Sequence, residues 1–128
     1  MENGNAPPRL RFGVIGMNHD HIYGLVDAVR RGGGELASFD ATEPELAAAF
    51  GAKYPHAKQV SDERAILDDR SIALVLSSIV PNERAPLGIR VMQHGKDFLS
   101  DKPGITTLAQ LAEVRRVQAA TKRIYSIL

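Results

Sequence analysis

Apolar and polar positions along the chain alternate between two periods, one near two residues and one near 3.6, and each marks an element. Residues 10–15 (LRFGVI) form a short β-rich run that stops at Gly16. Residues 21–31 (HIYGLVDAVRR) put Ile22, Leu25, Val26 and Val29 on one helical face, then stop at the glycines 32–34, a natural C-terminal signal. Residues 35–39 predict a second strand ending in Asp40. Thr42 predicts the N-cap of a helix that has Pro44 and Glu45 in its first turn and runs through alanines to Gly51. Residues 58–60 predict a weak third strand, and residues 61–69 a short capped helix. Residues 72–80 (IALVLSSIV) are nearly all apolar, the pattern of a strand buried on both faces. Residues 84–95 predict a helix with Pro86 in its first turn, ending at Gly95, and residues 96–100 another strand. Thr107 and Gln110 form a capping box for a last helix, with Leu108, Leu111, Val114 and Val117 as its apolar stripe. Residues 123–128 predict a final strand.

Strands separated by helical crossovers imply an α/β fold with a parallel sheet covered on both faces. The expectation is a doubly wound (Rossmann) sheet of about six strands in the order 3-2-1-4-5-6. Ligands in such sheets bind beyond the carboxyl ends of the strands, near the switch between strands 1 and 4. The loops to inspect are residues 16–21, 40–43, 77–83 and 101–105.

Composition narrows the function class. The 128 residues suit one domain, read as residues 9–128 behind a flexible polar tail at residues 1–8. Apolar residues are 44% and charged residues 24% of the chain, an ordinary globular balance. A net charge of +1 argues for neither nucleic acid nor an anionic membrane as partner. No apolar run has spanning length, and the first ten residues do not read as a signal peptide. The absence of cysteine excludes disulfides and thiolate metal sites and is compatible with a cytoplasmic location, which is the expectation.

The first loop carries the candidate chemistry. A helix N-terminus directly after strand 1 presents free backbone N–H groups to a phosphate. The dinucleotide pattern G-x-G-x-x-G/A reads Gly16, Asn18 and His21 here, so only the first glycine matches. Asn18 tolerates a left-handed backbone, whereas His21 is bulky where helix and strand normally pack closely. Asp40 follows strand 2 at the spacing where an acid accepts ribose hydroxyls and repels a 2′-phosphate. No arginine adjoins it in sequence, so NAD is favoured over NADP. His19, Asp20 and His21 invite a metal reading, but zinc wants three or four protein ligands, and His56 and His94 are expected away from this face. The expectation is that no metal is held, that Asp20 or Asn18 caps the helix, and that the histidines are polar loop residues, His19 within reach of a ligand.

Several stretches together resemble the N-terminal domain of the glucose–fructose oxidoreductase and inositol dehydrogenase (Gfo/Idh/MocA) family. They are RFGVIG at residues 11–16, Phe39-Asp40, Pro81-Asn82 and HGKDFLSDKPG at residues 94–104. The resemblance covers residues 10–128, and GKDFLSDKP is similar to the family's G-K-x-V-x-x-E-K-P signature, with Asp101 at the glutamate. It implies that Lys102 is the active-site lysine near the nicotinamide and reacting carbon, and that Pro103 follows a cis bond. The family's T-P-N-x-x-H keeps Pro81 and Asn82 but has Val80 at the threonine and Ala85 at the histidine. A register slip of one would bring Ile79 or Ser78 near the cofactor. The resemblance also implies a second, substrate-binding domain that has no counterpart before the last residue, Leu128. The expectation is the cofactor domain of an NAD-dependent oxidoreductase acting on a sugar, polyol or similar hydroxy/keto compound, inactive alone. Gly16, Met17, Asn18, His19, Asp40, Ser78, Asn82 and Asp101 are expected to bind cofactor. The small-molecule substrate belongs to the full-length enzyme, and apolar surface facing the second domain is expected to drive self-association. The rival expectation is a Rossmann-like binding or regulatory module without redox activity.

Overall fold

A computed structural model describes residues 9–128. The tail read at residues 1–8 lies outside the described residues. In chain order the elements are β1 (Arg11–Ile15), α1 (His21–Arg31), β2 (Glu35–Asp40), α2 (Pro44–Lys53), β3 (Lys58–Gln59), α3 (Arg64–Leu67), β4 (Leu74–Ser77), α4 (Pro81–Gln93), β5 (Asp97–Ser100), α5 (Leu108–Thr121) and β6 (Tyr125–Ile127). The six strands form one parallel sheet in the order β3-β2-β1-β4-β5-β6, as the alternation predicts. The order of winding reverses between β1 and β4, which sets the loops after these two central strands side by side at the carboxyl end of the sheet.

The core forms in two layers. On one face Phe12, Val14 and Phe39 pack against Ile22, Val26 and Phe50 of α1 and α2. On the other, Ile15, Val75 and Phe98 meet Ile66 and Leu67 of α3 and Leu87 and Val91 of α4. Each such buried side chain contributes about 1.5–3 kcal/mol of hydrophobic free energy. Gly88 lets α4 lie close on the sheet: a Cβ there would stand 2.4 Å from Tyr125 and 2.6 Å from Phe98.

Local chemistry departs from expectation in four places. β4 spans only four of the nine apolar residues, because Ser77 Oγ donates to the Ile15 carbonyl and accepts from Ile79 N–H, ending the ladder. The next helix starts at Pro81 rather than residue 84, so Pro86 lies inside it. Pro86 cannot donate to the Asn82 carbonyl four residues back, and that carbonyl accepts from Gln110 Nε2 instead. The caps read at Thr42 and at Asp20 or Asn18 are not made: Glu43 and Asp20 hold the N-cap positions with no side-chain bond, Pro44 at N1 having no N–H to satisfy. On α5 the Thr107 cap does form, with Gln110 N–H donating to its hydroxyl. Only Val114 and Val117 of the stripe are buried there; Leu108 is 84% exposed.

Candidate functional site

Gly16 ends β1 with φ +82°, and a Cβ there would meet Ile79 Cβ at 2.6 Å, so the turn needs glycine twice over. Its N–H donates to the Asp40 carbonyl at 2.9 Å, and its carbonyl accepts from Ser78 N–H at 3.1 Å. The first loop is thereby tied to the ends of both neighbouring strands. Ser78 Oγ completes the tie, donating to His19 O at 2.8 Å and accepting from His19 N–H at 3.3 Å. The Ser78 side chain is fully buried and holds the loop in place. Among the described residues the N–H groups of Met17, Asn18 and Asp20 have no intramolecular acceptor, and they stand at the N-terminus of α1. Free donors at a helix N-terminus are the donor set a pyrophosphate needs.

Asn18 does not use the left-handed backbone it would tolerate; among the described non-glycine residues only Lys122 has positive φ. Its side-chain amide donates to Glu43 Oε2 at 3.0 Å and bridges the loops after β1 and β2. That bond holds the Glu43 carboxyl below its ordinary value. Asp40 lines the same cleft with Gly16, Thr42, Glu43, Glu63, Ile79, Glu83 and Arg90. Burial raises the Asp40 carboxyl above its ordinary value, and Asp62 and Glu63 push it further. An arginine absent from Asp40's sequence neighbours is thus present in space, but Arg90 is paired in a fork with Glu63, at 2.7 and 3.0 Å.

The other end of the site gathers around Asp101, directly after β5. Oδ1 accepts from Lys102 N–H at 2.8 Å and bonds His21 Nδ1 at 3.0 Å, while the carboxylate itself is buried. His21 therefore does not crowd the strand: it opens α1 and turns its half-exposed ring to the opposite loop. His19 Nδ1 lies 3.8 Å from Oδ2 and accepts from His21 N–H. Asp20 is exposed and stands apart from this group. Lys102 is exposed beside it, and the Lys102–Pro103 bond is cis, as the signature implies. Asn82 sits in the first turn of α4, exposed, with its carbonyl on Gln110.

Arg84 escaped the sequence reading. Its buried guanidinium donates to the carbonyls of Ile79, Asp101 and Pro103 at 2.6, 3.2 and 3.1 Å, and Nη2 lies 3.7 Å from Asp101 Oδ2. It staples the loop after β4 to the loop that carries Lys102. A charged residue in a helix's first turn ordinarily reads as solvated, so the pattern held no signal for it.

No helix is long and apolar enough to cross a membrane among the described residues. Residues 10–128 match the oxidoreductase family GFO_IDH_MocA, described as an NAD-binding Rossmann fold. No curated protein matches the sequence. The chain is similar to a solved structure described as an oxidoreductase from Erwinia carotovora atroseptica, with 34% identity and a TM-score of 0.90 over 93% of this chain and 36% of that one. It shares its fold with the WlbA dehydrogenase of Chromobacterium violaceum, solved with NADH and UDP-GlcNAcA (14% identity, TM-score 0.83, 94% of this chain and 35% of that one). It also shares it with biliverdin reductase of Synechocystis, solved with biliverdin and NADP+ (18% identity, TM-score 0.77, 92% and 37%). The chain spans about a third of the length of these structures.

Proposed function

The chain belongs to the Gfo/Idh/MocA oxidoreductase family as its NAD(P)-binding Rossmann domain, and from that premise we propose that it is the cofactor domain of an NAD-dependent enzyme that moves hydride to or from a sugar, polyol or similar hydroxy/keto substrate. The observation that carries this reading is the pairing of Gly16 with Asp40 across β1 and β2, which sets a free helix N-terminus beside a carboxylate at one cleft. The N–H groups of Met17, Asn18 and Asp20 would receive the pyrophosphate. The Asp40 carboxylate would accept the adenosine ribose hydroxyls. The bound nicotinamide supplies the hydride acceptor or donor.

Two features support NAD over NADP. Asp40, Asp62 and Glu63 crowd the ribose end with negative charge, and the arginine that lines the cleft, Arg90, is already spent on Glu63. A 2′-phosphate there would meet repulsion and find no free cation. Lys102 would orient the substrate oxygen at the other end, its loop held by Asp101 and Arg84. The half of the substrate pocket expected from a second domain would supply the remaining contacts, so this chain alone is proposed to bind cofactor weakly and not to turn over. A small-molecule substrate and self-association through exposed Leu108, Leu111 and Ile127 belong to the same proposal.

Calorimetric titration of the folded chain with NAD and with NADP tests it. Heat with NAD and none with NADP is expected. Silence with both, or preference for NADP, overturns the assignment of Asp40.

A further inference from the structure

Asp101 is 1% exposed, and its Oδ2 has no hydrogen-bond partner. Arg84 Nη2, 3.7 Å away, faces Oδ2 as a charge but is too far to hydrogen-bond it, so the buried oxygen still costs free energy that a directly coordinated cation would recover. His19 Nδ1 stands 3.8 Å from Oδ2, His21 Nδ1 stands 3.0 Å from Oδ1, and the two imidazole centroids are 4.0 Å apart. One donor atom from each of the three residues lies within 4.8 Å of the others. Nitrogen and oxygen donors bound tetrahedrally to one zinc ion at about 2.0–2.2 Å lie about 3.3 Å from each other. The observed spacings of 3.0 and 3.8 Å fall on either side of that value but run to different oxygens of Asp101, so one oxygen can serve both imidazoles only once the rings turn.

We propose that His19, His21 and Asp101 form a three-ligand site for a divalent transition ion, zinc by its donor set, with a fourth position open to substrate oxygen. Two imidazoles and one carboxylate select zinc over magnesium or calcium, which demand mostly oxygen. The ligands are held from behind. Ser78 grips both backbone polar atoms of His19, Lys102 N–H fixes Asp101 Oδ1, and Arg84 fixes the Asp101 carbonyl. Such outer contacts pre-set a metal site. Only the two half-exposed rings need turn, and the bond from His21 N–H to His19 Nδ1 gives way to the ion.

Charge then indicates what the open position takes. Arg84 already balances Asp101, so the ion leaves the cluster positive, and the exposed Lys102 adds to it. An anionic oxygen is favoured there: the carboxylate, alkoxide or enolate of a hydroxy or keto compound. This last step rests on the cofactor-domain reading above; ion binding does not.

The test is calorimetric titration of the intact chain with Zn2+ alone, with Co2+ as a spectroscopic probe. One zinc per chain and the visible bands of tetrahedral cobalt are expected. His19→Gln and His21→Gln should each weaken zinc binding more than about tenfold. Their rings are half exposed, so the fold should survive, with circular dichroism as the check. Asp101→Asn should weaken it as well; should that variant misfold, the two histidine variants decide. His94→Gln, at the far end of α4, should bind as the parent does. No zinc binding, or binding that both His19→Gln and His21→Gln leave unchanged, overturns the site. NAD titration of the same samples separates the readings: NAD heat without zinc heat overturns the ion site alone, and zinc without NAD overturns the cofactor reading alone.

Discussion

The guanidinium of Arg84 lies 3.7 Å from the carboxylate of Asp101, and both side chains are buried. Neither residue gains from water, so each depends on the other and on the carbonyls that Arg84 also serves. The pair joins the start of α4 to the loop after β5 and so fixes the position from which Lys102 reaches out.

Removing one member of that pair should be costly. Arg84→Met deletes the bonds to three carbonyls and leaves Asp101 charged and buried. A loss of about 3–5 kcal/mol is expected in urea unfolding. Arg84→Lys should recover little, because an ammonium cannot present the guanidinium fork. A loss below about 1 kcal/mol would mean the pair behaves as a solvated one.

Gly16→Ala should destabilise the domain by two routes. Its φ of +82° is unfavourable for alanine by about 1–2 kcal/mol. The new Cβ also meets Ile79 at 2.6 Å, adding about 1–3 kcal/mol of overpacking. Pairing it with Ile79→Ala should relieve the crowding at this contact but not the backbone cost. Equal unfolding midpoints for the glycine and alanine chains would contradict this.

Asp40→Ala should weaken NAD binding by about 1.5–3 kcal/mol, roughly 10- to 150-fold, the range for hydrogen bonds to a charged acceptor. The same residue sets an acid limit. Burial, then Asp62 and Glu63, raises the Asp40 carboxyl above its ordinary 3.8. Ribose binding prefers the ionised form, so affinity should be constant well above that raised value and fall as pH drops through it. In stability the sign is opposite. A raised carboxyl binds its proton more tightly in the folded state, so its contribution is present below 3.8 and is lost as pH rises through the folded value. Asp40→Asn should flatten both profiles, read by calorimetry and by thermal melts across acid pH.

Glu43→Gln should raise NAD affinity. Glu43 takes Asn18's amide at the mouth of the phosphate loop and places a carboxylate near the expected pyrophosphate. Removing this partly exposed charge relieves about 0.2–1 kcal/mol, a gain of up to about fivefold that shrinks with salt. An affinity that falls instead would assign Glu43 a direct hold on the cofactor.

What the sequence determined by itself was whatever depends on near neighbours. Apolar periodicity and glycine stops located all eleven elements, since each needs only its own residues to show which face is buried. Strand order followed from helical crossovers, and the Asp-Lys-Pro run at residues 101–103 marked the loop that carries Lys102. Tertiary structure alone decided the rest. Pro86 could move inside α4 because Gln110, 24 positions on, served the carbonyl it left. His21 looked like an obstruction until the loops after β1 and β5 met, 80 positions apart in sequence, and gave its ring Asp101 as a partner. Arg84 carried no signal in the sequence, and its role emerges only where three carbonyls from two loops close around it. Each of these depends on where the parallel sheet delivers a distant strand end, and no local pattern encodes a contact whose two halves are brought together only by the fold.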